Sequence, residues 1–573
     1  LDDNESAFNT INHDQYLQKN FWGYVKSILK IDNSALPSFD LYQCIEYFRK
    51  TLAAVNPNKL FRIPSWIPKL SDPIIQFDLE PPTYQQVTNI IRKIKASGSP
   101  CPLDQISIIC FKRCPFLRSY LTDLIHAVWS SGSIPSEWKK ACTILIHKKG
   151  DTSVPSNFRP ITLENISLKV FTSCLRNAMY FFLTANNYIE HNIQKGFTPN
   201  ISGTLEHTAQ MANIINKARI KQRSLIVTLL DLKNAFGEIH HNLIKCVLDY
   251  HHIPEHIKLI INDLYTDFKT SIITSSFQTP FIPVGRGVLQ GDCLSPLLFN
   301  MCFNTFIQHI KDERYRQFGF SFKMINPIHW FQFADDAAVT TTQESENQHL
   351  LNRFSVWCQW SDMFIRVEKC STFGIKKSAT KSVQFLPKLF INSVLIPTVK
   401  FGESFQYLGR YFNFNMSDDI HKSEITSLIE NLMSSIDSKP LHPKNKLLLY
   451  SRYVLSKLSW HFTVSNISQT WVKQNIDSVV TSYIRRWLEI PISGTLCTVF
   501  MTQNKFGLNI IPPSVKYQQC QTVLRNALKD SPNVEINELW KSASTDKNIQ
   551  YDVYTTTKEV IKDFRSKQEN KLQ

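Results

Sequence analysis

The sequence predicts an α+β protein, and three observations carry that reading. Two separate apolar, strand-like segments end on carboxylates, Asp231 on the first and Asp335–Asp336 on the second. A glycine-bearing loop, 285–292, runs straight into an apolar helix. Beyond residue 413 the pattern becomes amphipathic and helical, with Lys and Arg on the solvent face. The 573 residues leave room for two or three domains. Hydrophobic residues make up 43% and Phe alone numbers 38, which excludes a largely disordered chain. Lys and Arg outnumber Asp and Glu by 64 to 48, a net +16 spread along the chain. That balance suits a polyanionic partner, and it also fits a merely soluble basic protein.

Taken in order, the first stretch to about Ser71 is polar with short amphipathic pieces such as FWGYVKSIL. The segment EPPTYQQVTNIIRKIKASGSP predicts a helix capped by Thr83, with Val87, Ile90, Ile91 and Ile94 on one face. A Gly/Pro turn follows at 97–103, then a helix over 116–129, a strand at ACTILIH, the turn KKGDTSVPSN and FRPITL. SLIVTLLDL, 224–232, has the β-branched and Leu-rich look of a strand buried on both faces. Ser295–Pro296 predicts an N-cap and first helical residue, and the helix beyond buries Phe299, Cys302, Phe303, Phe306 and Ile310. WFQFADDAAVTTT, 330–342, predicts a hairpin with its acids at the tip. FQYLGRYF is a third apolar segment; 444–462 and 471–488 are amphipathic helices, and the last forty residues are polar.

Thirteen Cys are scattered without a CxxC pair or a Cys–His cluster at zinc spacing. Cys110 and Cys114 read as packed thiols, and the chain as one with a reduced interior, no structural zinc and no disulfide framework. The rings of the adjacent pairs His240–His241 and His251–His252 diverge on regular backbone and are poorly placed to share a metal. No apolar run approaches the ~20 residues of a membrane helix, so no membrane partner is predicted.

Acids gathered at one end of a sheet repel unless cations neutralise them. Mg²⁺ suits such oxygen ligands and keeps waters for substrate phosphates. Two such ions ~3.5–4 Å apart stabilise both oxygens of a phosphoryl transfer. Alternation along a strand gives Phe331, Phe333 and Asp335 one parity. It makes Asp231 and Asp335 the shared ligands and Asp336 the weaker one. Taken alone, an Asp pair in a turn also fits an ordinary turn.

The strings LLDLKNAFGEIHH, GVLQGDCLSPLLFN and FADDAAV, in this order, resemble the three palm motifs of reverse transcriptases, above all those of non-LTR (long-interspersed-element type) retrotransposons. Upstream, LIHKKGD and NFRPITL are similar to that group's fingers motifs and SGSPCPLD to the block that precedes them; downstream, VEKC and FQYLGR resemble its last palm motifs. The resemblance covers 97–411 and implies a right-hand polymerase: an N-terminal extension (1–96), fingers (97–225), palm with an antiparallel sheet (226–412), helical thumb (413–530) and polar C-terminal tail (531–573). Fingers and palm together make a reverse transcriptase domain of about 125–412. The implied activity is RNA-directed DNA polymerisation, a nucleotidyl transfer from dNTPs to a DNA or RNA primer on an RNA template. Two Mg²⁺ ions, replaceable by Mn²⁺, are the implied cofactors, and nucleus and cytoplasm the implied locations.

Residue by residue, the resemblance implies that Asp231, Asp335 and Asp336 bind metal, with the carbonyl of Leu232 as a further ligand. Phe236 matches the bulky residue under the incoming sugar, which leaves no room for a 2′-hydroxyl; it also fits a core Phe. Gln290 and Gly291 match the loop at the template–nucleotide pair, where a small residue lets backbone approach. Lys148 and Arg159 match the triphosphate grip, with Lys149 able to replace Lys148 and a solvated basic turn the plainer reading. Lys369 matches a lysine that protonates departing pyrophosphate, and otherwise reads as a surface lysine. Lys446, Arg452, Lys457, Arg485 and Arg486 would line the duplex in the thumb.

Three positions depart from the family pattern: Gly237 where Asp is commoner, Cys293 for Pro and Phe333 for Tyr. Gly237 puts local strand geometry in question. No nuclease, ribonuclease H or protease signature is visible and the chain opens on Leu1, so a truncated or domesticated copy, or one piece of a longer polyprotein, is expected. The competing readings are an RNA-dependent RNA polymerase, which Phe236 opposes, a mobile-intron reverse transcriptase, and a decayed copy that only binds nucleic acid. The sequence leaves the oligomeric state open.

Overall fold

The β-branched run after Ser224 forms the strand Leu225–Leu230 at the centre of a five-stranded antiparallel sheet. The computed structural model describes residues 13–28, 36–96, 98, 100–322, 325–544 and 554–571; Ser97 and Ser99 of the expected Gly/Pro turn lie outside them. Strands Asp336–Thr341 and Ser371–Lys377 flank the central one, with Trp330–Phe333 and Ser382–Phe385 at the edges. Alternation sorts the central side chains between two cores. Ile226 and Leu230 face the core around the helix Ser295–Ile310, while Leu225 and Val227 face Met211, Ile214 and Ile215 of the helix Gly203–Ile220. The register pairs Leu230 with Ala337 and Leu229 with Ser371, so the C-terminus of the central strand meets the starts of both neighbours.

A second sheet of four strands carries the upstream motifs. Lys140–His147 pairs antiparallel with Phe158–Leu163 and parallel with Lys269–Ile273, which pairs in turn with Ile282–Pro283. The helix Tyr84–Lys93 starts at Thr83 as predicted, through a reciprocal capping box with Gln86. With the five-stranded sheet, this four-stranded sheet and the C-terminal helical bundle, the architecture is α+β.

Four expectations change. The helix 295–310 is not capped by Ser295. The Asp292 carboxylate accepts from the backbone N–H of Leu294 and Ser295, both at 3.0 Å, and from the Ser295 hydroxyl at 3.2 Å. One carboxylate oxygen accepts all three, and the Ser295 hydroxyl is engaged as a donor to it. Around Gly237 the chain makes a short helical turn, Ala235–Glu238, rather than strand. The segment expected as a polar tail carries helices Val534–Ser544 and Thr557–Glu569, whose few apolar residues dock: Ile536, Leu539 and Val560 are buried and Phe564 packs edge-on to Phe500. The N-terminal helices His13–Lys19 and Phe21–Ile28 belong to the core of the C-terminal helical bundle, where Leu17, Tyr24 and Val25 are buried beside Ile425, Tyr450 and Phe462.

The two predicted thumb helices each contain a π turn: Tyr450–Val454 between Pro443–Leu449 and Leu455–Val464, and Lys473–Asp477 between Gln469–Val472 and Ser478–Trp487. Among the described residues, no helix is long and apolar enough to cross a membrane.

Candidate active site

Asp231 leaves the end of the central strand just where the hairpin 330–341 turns. The strands of that hairpin stop at Phe333 and restart at Asp336, so Asp335 lies in the turn itself. Strand alternation therefore does not rank the two acids. Ala334 completes the turn with a left-handed φ of 52°, a conformation that costs a non-glycine residue energy and persists only when its surroundings impose it. They do here. The Ala334 N–H donates to Gln194 Oε1 at 2.9 Å, and the Ala334 carbonyl accepts from Gln332 Nε2 at 2.6 Å and Gln194 Nε2 at 3.3 Å. A side chain at Gly196 would strike the Ala334 backbone. Behind this brace a buried ion pair, Lys195–Glu206 at 2.6 Å, is 0% and 1% exposed on its two side chains.

The three acids feel one another. Burial, then the charge of Asp231, raises the Asp335 carboxyl above its ordinary value, against the pull of its own backbone N–H. Asp336 is open to solvent at its rim, yet burial, Asp335 and Asp231 together push it up to about 6. Carboxyls raised by mutual repulsion are the donors a hard divalent cation stabilises, and the oxygen-only set of three carboxylates with the Leu232 carbonyl nearby suits such an ion. An open cleft lined by Leu229, Asp231, Asp336, Lys369, Tyr407 and Gly409 leads to them.

Positive groups surround the acids. Arg366, which sequence reasoning passed over, forms an ion pair through Nε with Asp231 and donates from a terminal nitrogen to the Leu232 carbonyl at 3.2 Å. Its backbone N–H donates to the Asp231 carbonyl at 2.9 Å. The only sequence signal was its position in the string RVEKC, three residues before Lys369. Burial, then the charges of Arg159, Arg366 and Lys369, lowers the Lys148 ammonium. Arg159 is exposed and also pulls down the carboxyls of Asp335 and Asp336, so its charge reaches the acids. Lys149 stands beside Lys148 on the exposed turn.

Phe236 is half-buried, its ring stacked on Phe299 at 4.3 Å with planes 4° apart and set edge-on to Phe197. Val288 donates to the Phe236 carbonyl at 2.9 Å and Gly287 to that of Ile239 at 2.7 Å, which seats the glycine loop against this turn. Arg286 and Glu238 clamp the same contact at 2.7 Å. The Gln290 carbonyl accepts from the Thr162 N–H at 2.7 Å. Gly291 has φ +133°, and a side chain there would strike the Thr162 carbonyl. The close approach that demands glycine is thus to the protein's own fingers strand. Gly291→Ala is expected to cost ~1–3 kcal/mol of stability; a urea midpoint equal to the wild type would show that the loop has another seat. Beneath the loop, burial and the neighbouring Asp292 hold the Glu164 carboxyl well above the usual range.

Of the thumb cations, Lys446 donates to the Asp437 carbonyl at 2.9 Å, Arg485 to those of Pro491 and Gly494, and Arg486 pairs with Asp437 at 2.6 Å. Arg452 and Lys457 are exposed, over the rings of Phe21 and Tyr453.

Residues 146–410 match the family model described as reverse transcriptase (RNA-dependent DNA polymerase). The chain is 23% identical over 378 residues to the retrovirus-related Pol polyprotein from type-1 retrotransposable element R2 of Nasonia vitripennis, covering 65% of this chain and 35% of that protein. It is 23% identical over 505 residues to the corresponding polyprotein from type-2 retrotransposable element R2DM of Drosophila melanogaster, covering 86% and 44%. It is also 22% identical over 379 residues to the RNA-directed DNA polymerase from mobile element jockey of Drosophila melanogaster, covering 64% and 39%. The chain spans between a third and a half of the length of these curated relatives.

Proposed function

We propose that this chain, which carries the reverse transcriptase domain of non-LTR retrotransposons, extends a DNA or RNA primer with deoxynucleotides on an RNA template. The observation that supports it most is the meeting of Asp231 with the Asp335–Asp336 turn inside a ring of Lys148, Arg159, Arg366 and Lys369. Asp231, Asp335 and Asp336, with the Leu232 carbonyl, would hold divalent cations, two Mg²⁺ ions or Mn²⁺ in their place. Bound there, such ions supply charge stabilisation for the attacking and leaving oxygens of phosphoryl transfer.

The chain's own residues divide the remaining work. Lys148 and Arg159 grip the triphosphate, Arg by its planar fork and Lys as a point charge. Phe236, braced from behind by Phe299, blocks the space of a 2′-hydroxyl. Gln290 and Gly291 border the template–nucleotide pair. Lys369, beside Asp231 and Asp336 in the cleft, gives its proton to departing pyrophosphate. Arg366 must release Asp231 before that carboxylate is free to take a cation. Exposed Arg452 and Lys457 contact phosphates without reading sequence, so affinity falls with salt.

Primer extension on poly(rA)/oligo(dT), with dTTP or UTP and with or without Mg²⁺, tests the assignment. Incorporation of dTTP that requires the cation is the expected result; none, or a preference for UTP, overturns it. Phe236→Val is expected to raise the efficiency of UTP relative to dTTP by ~10-fold or more, the scale on which a pocket wall discriminates. An unchanged ratio of kcat/KM would leave Phe236 as core packing for Phe299.

A further inference from the structure

A group of side chains outside the acidic cleft has the donors and spacing of a second metal site. His421 and Glu424 stand three residues apart on the helix Asp419–Asp437, so they share a face. His461 reaches them from Leu455–Val464. The Nδ1 atoms of the two histidines are 3.1 Å apart, and His461 Nδ1 is 3.6 Å from Glu424 Oε2. One donor atom from each of the three lies within 4.8 Å of the others. In tetrahedral zinc sites, metal–ligand bonds of ~2.0–2.2 Å hold ligand atoms roughly 3.3 Å apart. The two measured separations bracket that figure.

The carboxylate is set for a cation, against the nearby Arg410 guanidinium, whose charge acts on His421. The Tyr411 hydroxyl donates to Glu424 Oε1 at 2.8 Å and orients the carboxylate, leaving Oε2 toward the histidines. His421 is buried, while His461 and Glu424 are half-buried, so solvent can fill a fourth position. Two imidazoles and one carboxylate suit Zn²⁺ better than Mg²⁺. Without metal the same atoms make a hydrogen-bond relay: Tyr411 N–H faces His421 Nε2 at 3.4 Å, and His421 Nδ1 faces His461. Metal on Nδ1 puts the His421 proton on Nε2 and gives up that long contact.

We propose that His421, Glu424 and His461 bind one transition-metal cation, Zn²⁺ in preference to Mg²⁺, separate from the acidic cleft. The site ties Tyr411 of the strand Arg410–Phe412 to two thumb helices. That strand pairs with Phe405–Tyr407, and Tyr407 and Gly409 of the same hairpin line the cleft. Next to His461, Trp460 Nε1 donates to the Gly409 carbonyl at 3.0 Å. A bound cation would fix the height of this hairpin against the thumb.

The test uses the full chain in excess Mg²⁺, which fills the acidic cleft, with Co²⁺ as a spectroscopic probe. Expected are one tightly bound Co²⁺ with the visible bands of nitrogen and oxygen coordination, its displacement by Zn²⁺, and a rise in Tm with Zn²⁺. His461→Ala and Glu424→Gln should each weaken that binding at least ~10-fold and abolish the Tm rise. Glu424→Gln keeps an acceptor for Tyr411, so it decides the matter if His461→Ala does not fold. Tight binding unchanged in Glu424→Gln, a sulfur charge-transfer band pointing to the free cysteines, or no tight Co²⁺ at all would overturn the site and leave only the relay. A chain inactive in primer extension but binding Co²⁺ in this way would refute the polymerase reading alone.

Discussion

Asp335→Asn is expected to slow nucleotide addition by a factor of more than ~100 while leaving the melting temperature equal or higher. The two effects have opposite signs for one reason. Asp335 is largely buried beside Asp231, and its raised carboxyl records the cost of keeping a charge there. The amide removes that repulsion, so the fold gains or is unchanged. The same substitution takes an anionic donor from the divalent cation, so the reaction loses. Single-turnover primer extension and thermal melting on the same preparation check both halves. A variant keeping more than about a tenth of the rate would remove Asp335 from the machinery.

Glu206→Ala is expected to cost ~3–5 kcal/mol of stability, because it strands the Lys195 ammonium in the interior without its partner. Burial already lowers Lys195, with Glu206 opposing that shift, so the variant would shed the proton rather than hold an isolated charge. Glu206 also accepts from the Ser531 hydroxyl at 2.7 Å, which ties the C-terminal region to the same point. The loss should reach the reaction. The Lys195 N–H donates to the Gln332 carbonyl at 3.0 Å, and Gln332 with Gln194 holds the strained Ala334 turn beside Asp335. Chemical denaturation measures the first effect and primer extension the second. Replacing both partners with apolar residues, Lys195→Met with Glu206→Leu, should recover much of the stability. If Glu206→Ala unfolds at the wild-type midpoint, the pair contributes nothing.

What the sequence made legible were features with local signatures. The run from Leu225 to Leu230 alternates between two cores, so both faces are apolar and the strand announces itself. The hairpin 330–341 and the helix 295–310 were as plain, because turn acids and a continuous apolar stretch are short-range signals. Even a local pattern could mislead: Ser295 followed by Pro is a usual start, but Asp292 three residues earlier took the cap. The helix Thr557–Glu569 was missed because so few of its residues are apolar, though Val560 is fully buried.

Pairings between distant segments were invisible. Arg366 meets Asp231 across 135 positions, and Gln194 meets Ala334 across 140, with no periodicity to suggest either. The thumb cations illustrate the converse. An amphipathic pattern places Arg485 and Arg486 on a solvent face but does not disclose that Pro491 and Asp437 claim them. The proposed cluster has no signature in Cys or Cys–His spacing, because His421 and Glu424 find their third member forty residues away on another helix.

Asp14 accepts hydrogen bonds from the His442 N–H at 3.2 Å and the Asn445 side chain at 2.5 Å, and Leu17, Tyr24 and Val25 close the same core. The ribosome therefore makes the capping piece of this bundle more than four hundred residues before the surface that receives it. Until the thumb is synthesised, an oily stretch must wait unaccompanied, at risk of sticking to the wrong neighbour. Joining ends so far apart in the chain also pays a large closure entropy late in folding. A bundle made late in this chain is thus completed by a segment made more than four hundred residues earlier.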